Sequence, residues 1–134
     1  MFIIYLTPMY AAVFGLALVI LSVRTLWLRR QLGVAIGSGD NPLLARAARV
    51  HSNFTEYVPI SLLLIYFLEI QSGGGMSIHG LCILLLVGRI IHAIGVSQVK
   101  EDYRFRTVGM ALTLIVIISV SIRLLTTFLL ANPS

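Results

Sequence analysis

Apolar residues in this chain do not alternate with polar ones; they accumulate in four long blocks, residues 3–28, 43–70, 76–98 and 107–130, parted by short polar interruptions. A helix rising about 1.5 Å per residue needs roughly 20 residues to cross a bilayer core of ~30 Å, so each block is long enough to span with some tilt. The interruptions carry turn chemistry. QLGVAIGSGDNP (31–42) is rich in Gly, Ser, Asp, Asn and Pro, with Asp40 or Asn41 placed to cap a helix and Pro42 at its first position. QSGGGMS (71–77) holds three consecutive glycines and reads as a tight turn, and VKEDYRFR (99–106) is a short charged connection. The pattern predicts an all-α integral membrane protein: one domain over residues 1–134, a left-handed bundle of four transmembrane helices.

The second block departs from this uniformity. Its first half, LLARAARVHSNFTEY, is polar for a membrane helix, while its second half, VPISLLLIYFL, is plainly apolar. Counting from Arg46, the residues Arg49, Asn53, Glu56 and Tyr57 share an arc of about 100° at 100° per residue. They form one polar stripe running about 15 Å along the helix. An ionisable group at the bilayer centre costs at least ~2.5 to 3.5 kcal/mol, so each needs a partner or a function. Two guanidinium groups, an amide and a carboxylate suit a small zwitterionic ligand: arginines pair with its carboxylates, Glu56 with an ammonium, and Asn53 orients it. Equally, Glu56 can neutralise Arg49 or an arginine of a neighbouring helix as a structural ion pair. His51 lies about 140° from Arg46, off the stripe, and is expected to face another helix or another subunit. In the third block Arg89 and His92 share a face, and Gly88 and Gly95 permit close helix approach. Arg104, Arg106 and Thr107 open the fourth, where interfacial snorkelling alone would account for the arginines.

Composition narrows the class. Hydrophobic residues make up 58% of the 134 and charged ones 11%, with a mean hydropathy of +0.98; soluble domains stay near half apolar and carry about a quarter charged residues. The net charge of +5 does not imply nucleic acid, because the basic residues lie within or at the ends of apolar helices and form no solvated patch. Lys and Arg cluster in the first and third connections and are absent from the second, which puts those two connections in the cytoplasm and both termini outside. Trp27 beside Arg29 and Arg30 reads as an interfacial anchor, and Arg123 as a snorkel. The first block lacks a basic n-region and a small-residue cleavage site, so it is expected to be retained. Cys82, alone in an apolar run, reads as a small hydrophobe, and no metal site is expected.

The run RAARVHSNFTEYVP (46–59) resembles the signature of the MAPEG superfamily, the membrane-associated proteins in eicosanoid and glutathione metabolism. That pattern, R-x-x-R-A-(H/Q)-x-N-x-x-E-(Y)-x-P, is met by Arg46, Arg49, His51, Asn53, Glu56, Tyr57 and Pro59, with Val50 where Ala is usual. GRIIHAIGVS (88–97) and FRTVGMALT (105–113) are similar to the third- and fourth-helix motifs of prostaglandin E synthase-like members. The resemblance covers nearly the whole chain and is nearest to short bacterial members.

The resemblance implies a homotrimer in the bacterial inner membrane, assembled through its inner helices, that binds glutathione between adjacent subunits near the cytoplasmic face. It assigns Arg49, Asn53, Glu56, Tyr57 and His92 to that ligand, beside Arg46 from the polar stripe, with Arg29 or Arg30 and His51 coming from the neighbouring subunit. The family's catalytic arginine falls on Arg106, followed by Thr107; the alignment needs one inserted residue, so Arg104 competes. Two tyrosines that contact glutathione in better-known members correspond to His92 and Val96, and a third to about Met110. The implied chemistry is a glutathione transferase or glutathione-dependent peroxidase. A guanidinium beside the sulfur favours the reactive thiolate of a thiol whose ordinary pKa is ~8.5, and a hydrophobic electrophile or lipid hydroperoxide enters from the bilayer. The tyrosine departures keep an alternative open: a non-catalytic lipid-binding or scaffold protein of the same fold. A transporter is a third reading, since intramembrane charge also lines substrate pathways.

Overall fold

A computed structural model describes residues 5–100 and 102–131. Four helices follow one another: α1 (Thr7–Leu32), α2 (Pro42–Ser72), α3 (Met76–Ser97) and α4 (Tyr103–Ala131). All four are long and apolar enough to cross a membrane, and no strand occurs among the described residues. The all-α membrane architecture expected from the apolar blocks is the one found. Residues 3 and 4 of the first expected span lie outside the described residues.

Local chemistry sets the helix ends. Pro42 opens α2 at a position where its missing N–H is no loss, and Asn41, not Asp40, supplies the cap: its Oδ1 accepts from the amides of Leu43 at 3.0 Å and Leu44 at 3.1 Å. Gly33 and Gly73 close α1 and α2 with φ of 66° and 76°, the left-handed conformation in which a side chain would be strained. Three boundaries differ by about four residues from the hydropathy reading, the first being the start of α1 at Thr7 in place of residue 3. α1 runs on to Leu32, so Arg29 and Arg30 belong to its last turn. α4 begins at Tyr103, because the Asp102 carboxylate accepts from the Arg104 amide at 3.0 Å and starts the helix before the apolar run does.

In lipid the hydrophobic effect does not drive helices together, so close packing and hydrogen bonds must. α3 and α4 show how. A Cβ built on Gly109 would lie 2.6 Å from both the Gly88 carbonyl oxygen and the His92 nitrogen, and one on Gly95 would lie 2.9 Å from the Arg106 nitrogen. The two backbones therefore touch, and glycine is what lets them. α2 contacts all three other helices, whereas α1 and α4 do not meet among the described residues. The shared core holds Phe14, Phe54, Ile65, Ile78, Leu85 and Val116, with Cys82 fully buried among them. α1 and α4 each bury one narrow stripe and leave the rest of their apolar surface outward, as a lipid-facing helix does.

At the end opposite the arginine-rich connections, α1 is anchored by Glu69 of α2. Its carboxylate, 1% exposed, accepts from the amides of Leu6 and of Thr7, the latter at 2.9 Å. A negative charge on the free N–H groups of a helix N-terminus is favoured by both hydrogen bonding and the helix dipole. Beside it, the Tyr10 hydroxyl and His79 Nδ1 are 3.0 Å apart and tie α1 to α3.

Candidate functional site

The polar stripe of α2 divides along its length in a way that angular spacing did not show. Asn53, 6% exposed, turns inward, while Arg49 and Glu56 face outward and Tyr57 is half-buried at the boundary. Inside, Arg89 of α3 is the organising group. Its Nη1 donates to Asn53 Oδ1 at 2.7 Å, its Nη2 donates to the Gly109 carbonyl of α4 at 3.3 Å and to Met110 Sδ at 3.5 Å, and its guanidinium stands 5.8 Å from the Tyr57 ring centroid. That ring contact is within cation–π range. Arg89 is 3% exposed and has no carboxylate partner among the described residues; its Nε has no hydrogen-bond partner there. The sequence placed Arg89 on an inward face but did not count it among the site residues. Its position between a polar stripe and a glycine-lined crossing was the available signal.

The other expected residues sit in distinct places. Arg46 reaches over the end of α3, donating to the carbonyls of Val96 at 3.1 Å and Val99 at 3.4 Å, where a cation complements the helix C-terminus. Glu56 takes a hydrogen bond from Ser52 Oγ at 2.8 Å, one turn back on its own helix, and Arg49 makes no hydrogen bond to a described residue. His51 faces α1. The Ser22 hydroxyl donates to the Leu18 carbonyl at 2.8 Å, so the His51 Nε2–H is the donor to Ser22 Oγ at 3.0 Å.

Arg29 wraps the end of its own helix, donating to the Gly37 carbonyl at 2.9 Å and to that of Ala35 at 3.3 Å, whereas Arg30 is exposed. His92 is 4% exposed, pressed into the α3–α4 crossing against Gly109. Arg104, Arg106 and Thr107 are exposed on the first turns of α4, with the Arg106 backbone packed on Gly95, one turn from His92. Within one chain, then, Asn53, Tyr57, Arg89 and Met110 converge, while Arg49, Glu56 and the α4 arginines remain on the surface. Arg24 of α1, which the sequence reading passed over, donates to Ser97 Oγ of α3 at 2.7 Å.

These features define a class: a four-helix membrane protein with charged side chains on the outer face of its second helix. The MAPEG family model matches residues 7–126, and the chain belongs to that family, whose members are membrane proteins of glutathione and eicosanoid metabolism. Among curated proteins it is similar to the inner membrane protein YecN of Escherichia coli K12, with 35% identity over 107 residues and 80% of each chain covered. YecN of Escherichia coli O6:H1 matches to the same extent. No solved structure matches the chain.

Proposed function

We propose that this protein is a glutathione transferase or glutathione-dependent peroxidase of the inner membrane, acting as a homotrimer with glutathione held between subunits. The observation that carries the reading is the outward pair Arg49 and Glu56. Both are charged, both lie on a membrane-length helix, and both are left on the surface of the single chain. Charges so placed are costly against lipid, and a second copy of the chain packed on this face would cover them. A guanidinium and a carboxylate seven residues apart fit the carboxylates and the ammonium of the tripeptide. From the neighbouring subunit Arg30 is preferred to Arg29, whose guanidinium already holds the first connection. Arg106 is assigned to the sulfur, where its charge favours the thiolate, with Thr107 as a hydrogen-bond donor. The electrophile or lipid hydroperoxide would arrive laterally from the bilayer.

Titrating the detergent-purified protein with glutathione and recording the ultraviolet thiolate difference spectrum tests this. Wild type is expected to bind and to show thiolate. Arg106→Ala should lose the thiolate signal while keeping most of the binding, and Arg49→Ala should weaken binding by on the order of tenfold, as for the loss of one charged hydrogen-bonding partner. A protein that neither binds glutathione nor forms thiolate overturns the reading.

One observation favours a second reading, a non-catalytic lipid-binding or scaffold protein. Met110, which takes the place of a glutathione-contacting tyrosine of the better-known members, lies with its sulfur against Asn53 Nδ2 at 3.9 Å and against Arg89. In that reading Arg104→Ala and Arg106→Ala have no turnover to remove.

A further inference from the structure

α1 and α3 run in the same direction through the bundle and meet only lightly. Between them is a slot of about 160 Å³ walled by Ala17, Leu21, Leu86, Ile90 and Ala93, with Phe54 of α2 and Arg89 of α3 also lining it. Leu21 and Ala93 mark its arginine-rich end. One turn beyond them stand Arg24 and Ser97, joined by the 2.7 Å hydrogen bond that bridges the two helices. Half-buried Arg24 thus stands about one helical turn beyond the end of a largely apolar slot. Among the described residues it has no carboxylate partner. Arg46 adds a second cation at the same end of α3, over the carbonyls of Val96 and Val99.

We propose that this slot binds an anionic phospholipid of the cytoplasmic leaflet, with one acyl chain between α1 and α3 and the phosphate on Arg24. Three observations select this occupant. The slot is too small for a helix, which with side chains measures about 10 to 12 Å across, but it accepts an alkyl chain. The chain carries a net charge of +5, so a second copy is on balance repelled by Arg24, whereas an anionic headgroup is attracted to it. Finally, Ser97 accepts from Arg24 and keeps its own proton, so a phosphate oxygen placed there receives both a guanidinium N–H and a hydroxyl O–H. Basic groups between transmembrane helices at this level suit anionic headgroups. Arg24, Ser97 and Ala93 take no part in the proposed glutathione site, so variants at these positions test the lipid reading separately from that one.

Native mass spectrometry of the detergent-purified protein, titrated with phosphatidylglycerol and with phosphatidylcholine, provides the test. Wild type is expected to retain phosphatidylglycerol about fivefold better, the preference appropriate to one arginine at the membrane surface. Arg24→Gln should erase the preference, Arg24→Lys should keep part of it, and Ala93→Trp, which fills the slot, should lower the occupancy of both lipids. Equal retention of the two lipids by wild type overturns the proposal, as does a preference that survives Arg24→Gln. A change in subunit number on Ala93→Trp, with lipid occupancy unchanged, would give the slot to a second copy and also overturn it. If Arg24→Gln does not fold, the salt dependence of the wild-type preference decides: loss at high salt supports the site, and a salt-independent preference overturns it.

Discussion

Glu56 and Glu69 belong to the same helix and have opposite fates. Glu69 is sealed inside the chain, its oxygens taken by the amides of Leu6 and Thr7 at the start of α1. Glu56 lies on the outer face with a serine hydroxyl of its own helix for company. A carboxylate in a membrane protein must find donors somewhere, since lipid offers none. Where the chain itself supplies them, the group is part of the architecture. Where it does not, the group is addressed to something outside the chain, which in the proposed function is a second subunit and glutathione. Asn53 belongs with Glu69 in this respect, because its carbonyl is already committed to Arg89, and Arg49 belongs with Glu56.

The contrast can be broken most decisively at Glu69. Glu69→Ala orphans the amides of Leu6 and Thr7 at the start of α1, so thermal unfolding in detergent should show a loss on the order of 3 kcal/mol. Glu69→Gln, which keeps one acceptor, should lose less. A Glu69→Ala protein that melts like wild type would remove the structural half of the comparison. Next in size, Asn53→Ala leaves Arg89 Nη1 without its 2.7 Å acceptor and is expected to cost about 2 kcal/mol in the same assay; if Asn53 served the ligand alone, stability would not move.

Tyr10→Phe removes the hydroxyl facing His79 and should lower stability by about 1 kcal/mol without touching glutathione binding, since this contact sits at the other end of the bundle. The smallest stability effect belongs to Glu56→Gln, within about 0.5 kcal/mol for an exposed side chain of the single chain, accompanied by weaker binding in the glutathione titration. Should Glu56→Gln melt as badly as Glu69→Ala, the division between the two carboxylates fails.

How much of this was legible beforehand depended on the kind of signal. The four spans were readable because backbone groups in lipid must be satisfied within a helix, and apolar length alone then marks each one. Asn41 and Pro42 announced the start of α2 through side-chain chemistry local to the turn. The start of α4 was misplaced toward Thr107 because hydropathy sees only the apolar run, whereas the helix begins on a polar cap at Asp102. The stripe from Arg46 to Tyr57 was correct as a set of neighbours on one helix, but helical spacing cannot say which edge of an arc turns toward α3.

What the sequence determined by itself is the membrane class, the four helices and the presence of a charged helix within them. Hydropathy and local capping depend only on neighbouring residues, and both are written along the chain. Only the tertiary structure decided that Asn53 answers Arg89, that Glu69 seals the beginning of α1, that Arg24 spans α1 and α3, and that Arg49 and Glu56 are left outward. Those outcomes depend on which faces meet, and in a bundle whose helices are drawn together by close glycine packing and by hydrogen bonds, a few glycines and one buried guanidinium set that geometry.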